Sequence, residues 1–258
     1  MHTLAAYRPM EIREVFHLEF LRWFTRKIEA RSYCLKGGVN LRFFFKSIRY
    51  SEDMDIDLAG VRAEKVAKTV MEILVLRGFT DSLKSFGIDK VVAPDLTKAK
   101  QTETTQRFKI HLLTAGGEDL FTKIEFSRRG LKGSPVVEAV SAEILRAYKM
   151  APLLVCHYDA ASAVAQKVRA LAERTVLQAR DIFDLFVLIS QYEKSRAKPL
   201  EISGAVRKKA YENLFLVDFS RYRDTVVAYL GGDEQKTYGS PEAWDEIKLK
   251  TAGFLQAG

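Results

Sequence analysis

SEDMDIDL, residues 51–58, alternates acidic and apolar side chains without a break after its first pair. Asp53, Asp55 and Asp57 fall on one face of an extended chain, and Met54, Ile56 and Leu58 on the other. Period two predicts a β-strand with one buried face. Acidic residues are poor strand formers, and three like charges on one face repel each other. The stripe is therefore either a solvated acidic edge or a place where a cation resolves the repulsion. Residues i and i+2 of a strand root their side chains roughly 6–7 Å apart. Asp53 and Asp55 can thus converge on Mg2+, a hard cation commonly held by a few carboxylates plus substrate phosphates.

Upstream, Lys36-Gly37-Gly38 follows a short apolar run and precedes VNLRFFFKSI, which reads as a helix. Glycines let a backbone approach a phosphate closely, and a helix start presents unpaired N–H groups to an anion. By itself such a pair is more often a tight turn. Residues 10–30 carry apolar positions at helical spacing, from Ile12 through Phe24. Downstream, a helix is predicted over 62–77 and strands over 87–93, 105–114 and 119–127, the last two joined by the hairpin signal TAGGED. Glu125 lies on the last of these strands and offers a third carboxylate for a metal, or an ordinary surface glutamate.

Past Pro135 the pattern turns helical, with helices predicted over 139–150, 160–172, 181–192, 204–214 and 219–230. An α/β or α+β sheet domain over 1–132 is therefore expected, followed by a mainly helical domain over 133–258, with the break in the Gly130, Gly133, Pro135 cluster. Lys167 and Arg174 are seven apart and share a helix face. Lys167 can neutralise triphosphate charge, and Asp181 can orient a group or act as a base. On one unbroken helix their 14-residue separation is about 21 Å, so joint action requires a turn between about Ala172 and Ala179. The bland alternative is an (i, i+4) pair between Arg180 and Asp184.

The composition, 47% hydrophobic and 29% charged, allows a sizeable core. No apolar run approaches the roughly 18–20 residues that span a bilayer, and MHTLAAYRPMEIREVF has no signal-peptide pattern, so a cytoplasmic location is expected. Cys34 and Cys156, without a pairing pattern, fit a reducing compartment and argue against zinc. The net charge of +8 attracts polyanions, nucleic acid above all, unless it is solubilising charge. Basic clusters stand at Lys46/Arg49, Arg128/Arg129/Lys132 and Arg207/Lys208/Lys209.

Taken together, KGGVNLR, SEDMDIDL, QKVRAL and RDIFDL resemble, in content and order, the AbiEii/AbiGii-type nucleotidyltransferase toxins of abortive infection and type IV toxin–antitoxin systems. The resemblance covers most of residues 10–190. It implies an α+β, polymerase-β-like nucleotidyltransferase core with a helical C-terminal region, working on an NTP with Mg2+ or Mn2+. Carried over by residue, Lys36, Gly37 and Gly38 form the turn facing the phosphates, and Ser51 can contact phosphate. Asp53 and Asp55 bind metal, Lys167 binds the triphosphate with Arg174 beside it, and Asp181 assists the reaction. Asp57 falls outside the implied ligand set. The wider superfamily carries Gly-Ser where this chain has Gly-Gly, so the usual serine contact is missing there. An RNA acceptor, the 3′ end of transfer RNA, and a cognate antitoxin are also implied. A small-molecule or protein hydroxyl as acceptor, or a non-catalytic RNA-binding regulator, remain as alternatives.

Overall fold

The structure, a computed structural model, describes residues 7–96, 102–195 and 199–257. The chain divides into two compact units, Met1–Val39 with Tyr50–His157 and Asn40–Arg49 with Tyr158–Gly258.

The first unit is built on a seven-stranded mixed sheet. Its strands are β1 (Tyr33–Lys36), β2 (Asp53–Leu58), β3 (Ile88–Val92), β4 (Thr105–Thr114), β5 (Asp119–Ser127), β6 (Pro135–Ala139) and β7 (Leu154–Tyr158), in the order β3-β4-β5-β2-β1-β7-β6. β2 runs parallel to β5 and antiparallel to β1, while β4 is antiparallel to both β3 and β5. Helices α1 (Pro9–Phe24), α3 (Ala63–Val75), α4 (Arg77–Lys84) and α5 (Ala142–Ala147) belong to this unit, and α2 (Gly37–Phe44) crosses the division between the two.

α1 is buried on nearly every side, so its polar residues must find partners inside. Phe16, Phe20 and Phe24 stack in series, and Phe24 meets Tyr33 of β1 at 5.3 Å and Phe126 of β5 at 5.6 Å between ring centres. Each such ring contributes about 1.5–3 kcal/mol by leaving water. Among the buried polar groups, Tyr148 donates its hydroxyl to Glu14 at 2.8 Å and Ser82 donates to Glu19 at 3.1 Å. His17 Nε2 lies 3.0 Å from Thr122 Oγ1, whose own proton goes to the Glu52 carbonyl at 2.6 Å. The threonine oxygen is left as acceptor, so His17 carries its proton on Nε2.

Burial, and secondarily the charge of Arg13, push His17 down from 6.5 to about 3. The unfolded chain therefore takes up a proton near pH 6.5 that the fold refuses until about pH 3. The stability His17 permits is complete above pH 6.5 and falls as pH drops through that window, by up to about 1.4 kcal/mol per unit. Urea unfolding at pH 7.5, 5.5 and 4.5 should show this decline, and His17→Gln should flatten it.

The second unit is helical: α6 (Ala160–Glu173), α7 (Ala179–Ser195), α8 (Gly204–Leu214), α9 (Phe219–Thr225), α10 (Gly232–Tyr238) and α11 (Pro241–Gln256). Its core gathers Leu41 from α2 with Val168, Phe183, Leu188, Tyr222 and Trp244, the last two stacked at 4.2 Å. Asp159 caps α6 by accepting from the Ser162 N–H at 2.8 Å.

Four sequence expectations change. The sheet does not stop at 132: β6 and β7 extend it, so the units part after His157, and residues 40–49 join the helical unit. The helix expected over 139–150 is only α5, and that over 10–30 ends at Phe24. The helix expected over 219–230 stops at Thr225, where a 3-10 turn over Val227–Tyr229 follows.

Candidate active site

β2 forms because Met54, Ile56 and Leu58 bury completely or nearly so under the sheet, which turns the acidic residues to the opposite face. The pairing register then supplies the cations that the stripe requires. Asp53 stands opposite Lys123 of β5, and the Lys123 Nζ lies 2.9 Å from Asp53 Oδ2. Asp55 stands opposite Glu125, which is itself opposite Arg107 of β4; Arg107 Nε meets Glu125 Oε2 at 2.5 Å. Lys36 donates to the buried Asp57 at 2.5 Å.

Asp55 is the exception. Among the described residues its carboxylate has no hydrogen bond or ion pair, although it is partly buried. Burial raises its pKa; the nearby carboxylates of Glu125 and Asp53 push the same way, against Lys36 and Lys123. Its Oδ2 faces the turn at Gly37, where φ is +70° and a Cβ would stand 2.8 Å from that oxygen. Glycine is thus required twice, by the left-handed backbone and by the close approach. We expect Gly37→Ala to cost about 1–2 kcal/mol from backbone strain alone, read as a lower melting temperature, with a further penalty from displacing Asp55.

A second cluster lies within the helical unit. α6 ends at Glu173 and α7 begins at Ala179, so the chain turns between them and brings Asp181, in the first turn of α7, back to Lys167. Lys167 Nζ sits 3.0 Å from Asp181 Oδ1 and 2.7 Å from Asp184 Oδ2. Arg49 grips Asp184 with two parallel bonds, Nε to Oδ1 at 3.0 Å and Nη2 to Oδ2 at 2.9 Å. Arg174 Nε forms an ion pair with Asp181 Oδ2 at 2.8 Å. Both aspartates are fully buried. Burial alone would raise Asp184, but the charges of Arg49 and Lys167 outweigh it and hold it at about 2. For Lys167, burial works to lower the pKa, yet Asp184 and Asp181 together leave it raised.

The profile describing the nucleotidyl transferase AbiEii toxins of type IV toxin–antitoxin systems matches residues 20–233. The chain belongs to this family. It is a nucleotidyltransferase, of a toxin class. Among solved structures, JHP933 from Helicobacter pylori shares the fold at a TM-score of 0.55 and 17% identity, covering 98% of this chain and 93% of that one. The MenT4 nucleotidyltransferase toxin from Mycobacterium tuberculosis does so at 0.57 and 17%, covering 96% and 84%. No curated protein sequence matches the chain significantly.

For this AbiEii-type enzyme, the sheet unit gathers Lys36, Gly37, Asp53, Asp55 and Glu125, and the helical unit gathers Lys167, Arg174 and Asp181. Several expectations need correcting. Glu125 is engaged by Arg107, and among the described residues no group of three or more His, Cys, Asp or Glu side chains is placed to hold a metal. Asp53 and Asp55, on one face of β2, are the pair that could hold a metal together with phosphate oxygens, Asp53 exchanging its ion pair with Lys123 for the ion. The Asp55 carboxylate, without a hydrogen bond or ion pair among the described residues and beside the Gly37 turn, offers hard oxygen donors of the kind Mg2+ or Mn2+ takes. Lys36 is committed to Asp57 rather than free for phosphate. The Ser51 hydroxyl proton goes to the Asp53 carbonyl at 2.8 Å, which leaves its oxygen lone pairs but not its donor. The (i, i+4) pair between Arg180 and Asp184 is replaced by Arg49 and Lys167 on Asp184. Arg49 is therefore buried, not a surface phosphate ligand. Its role left no local signal, because its partner lies 135 residues away.

Proposed function

We propose that this toxin transfers a nucleoside monophosphate from an NTP to an RNA hydroxyl, at the 3′ end of a transfer RNA, with Mg2+ or Mn2+. The observation that carries the proposal is the Asp55 carboxylate, which among the described residues has no hydrogen bond or ion pair and is pressed against the Gly37 turn. Asp53 and Asp55 hold the ion, which when bound would neutralise charge on the attacking and leaving oxygens. The N–H groups at the start of α2, at Gly37 and Gly38, hold phosphate oxygens, and Ser51 borders them. The acceptor oxygen attacks the α-phosphorus and pyrophosphate leaves.

The Lys167 cluster sets three cations against two carboxylates, an excess of one positive charge suited to a triphosphate. Arg174, whose side chain is 42% exposed, keeps its terminal nitrogens available for phosphate, whereas Lys167 is only 12% exposed. Asp181 fixes Lys167 and Arg174 in place; doubly paired and buried, it is poorly placed to act as a free base. The +8 charge and the exposed Arg129, Lys132, Lys208 and Lys209 support a polyanionic acceptor. Membership of a type IV toxin–antitoxin family supports a cognate antitoxin. No helix among the described residues is long and apolar enough to cross a membrane, which is compatible with action in the cytoplasm.

The test is incubation with each radiolabelled NTP, total RNA and Mg2+, with and without chelator. Label should enter RNA of transfer-RNA size and vanish with chelator. Label appearing instead in protein or in small molecules would move the acceptor to another class. Turnover that survives chelation would remove the metal from the reaction.

A further inference from the structure

A groove of about 570 Å³ opens within the helical unit, lined by Lys46, Ile48, one face of α7 that includes Phe186, Gln191 and Glu193, and by Tyr238 and Lys250. Nothing in the transfer reaction calls for it. Its walls combine two features. Phe186 and Tyr238 are partly buried and meet edge to face at 6.4 Å, so ring surface faces the groove without being sealed into the core. Lys250, held to Glu246 at 2.6 Å, places its ammonium 5.8 Å from the Phe186 ring centre. Lys46 is exposed and takes a left-handed backbone, φ 56°, just past the end of α2. Glycine meets that conformation without strain, so a lysine there bears a conformational cost while its side chain lines the groove.

We propose that this groove binds one nucleotide of a single-stranded RNA, its base stacked on the Tyr238 ring with Phe186 against the base edge, and its phosphates on Lys46 and Lys250. Stacking on aromatic rings with flanking cations is the chemistry by which proteins hold unpaired nucleotides. Gln191 and Glu193 on the same wall supply groups for the base edge, the glutamate accepting from an amino group. The groove is anchored to the Lys167 cluster, because Ile48 adjoins Arg49 and α7 carries both Asp184 and the groove wall. Ser190 stands about 9 Å along α7 from Asp184. The site deepens the RNA-acceptor reading and rests on it for biological meaning, though not for its chemistry.

The full chain is titrated with a fluorescent single-stranded RNA containing 4-thiouridine, then irradiated and mapped. Cross-links should fall in the peptides holding Phe186 and Tyr238. Lys46→Gln with Lys250→Gln, both exposed, should weaken binding about 10-fold and flatten the salt dependence, the log–log slope falling by about 0.7 for each phosphate no longer neutralised. Unchanged affinity and slope in the double variant, or cross-links confined elsewhere, would overturn the site. If wild type labels no RNA but cross-links at Phe186, the groove stands and the transfer reading fails. If wild type labels RNA and the double variant keeps its KM for RNA, the groove fails and the transfer reading stands.

Discussion

Asp55→Asn should lower nucleotidyl transfer by at least about 100- to 1000-fold while leaving the melting temperature unchanged or higher. The activity loss is of the size seen when one charge-stabilising group is removed from an active site. The stability effect runs the other way for a stated reason. Asp55 is partly buried, burial raises its pKa against the opposing charge of Lys36, the carboxylates of Glu125 and Asp53 add repulsion, and among the described residues it has no hydrogen bond or ion pair. A neutral amide of the same shape relieves the repulsion. A residue kept for packing would show the opposite pattern, reduced stability with activity retained in the surviving folded fraction. Asp53→Ala should also abolish transfer, but it leaves Lys123 without its partner at 2.9 Å, so Asp55→Asn is the cleaner probe. Full transfer by purified, folded Asp55→Asn would remove the central premise of the proposed mechanism.

The second large effect concerns stability. Arg49→Met should destabilise the protein by about 3–5 kcal/mol, the cost of breaking a buried ion pair from one side. It deprives a fully buried carboxylate of two hydrogen bonds, at 3.0 and 2.9 Å. Asp184→Asn should cost a comparable amount, because it leaves Arg49 and Lys167 facing each other with less negative charge between them. The double variant should cost less than the sum, by about 0.5–3 kcal/mol, as expected for residues in one network. Urea unfolding of the four proteins measures this directly, and strict additivity would show that the pair is not coupled.

The two units should also differ in their response to pH. Asp184, held at about 2, contributes in full above the ordinary carboxylate value near 3.9 and loses its contribution as pH falls through about 2. Lys167, raised above 10.5, contributes in full below that value and loses its contribution only as pH rises through its higher folded value. Neither titrates between pH 6.5 and 4, the window in which His17 of the sheet unit loses its contribution.

Much of this architecture is legible locally. Strict alternation over residues 51–58 makes a strand because burying Met54, Ile56 and Leu58 on one side leaves the acids nowhere else to go. A separation of 14 residues between Lys167 and Asp181 demands a turn, and the turn lies between α6 and α7. The short strands β6 and β7 are not legible in this way, since a five-residue run carries little periodic signal and is stabilised by neighbours far away in sequence. The same limit hides Arg49, whose position beside an acidic strand suggests a surface cation.

Residue order alone thus determined which side chains share a face, where glycine had to stand, and which family signature the chain carries, because those depend on backbone periods of two and 3.6 residues and on motifs a few residues long. Only the tertiary structure decided which charges meet. Lys123 on Asp53, Arg107 on Glu125, Lys36 on Asp57 and Arg49 on Asp184 are set by strand register and helix packing. Coulomb attraction acts through space, and nothing in the local sequence says which distant cation will arrive, or that, among the described residues of this acidic stripe, Asp55 will be left without a hydrogen bond or ion pair.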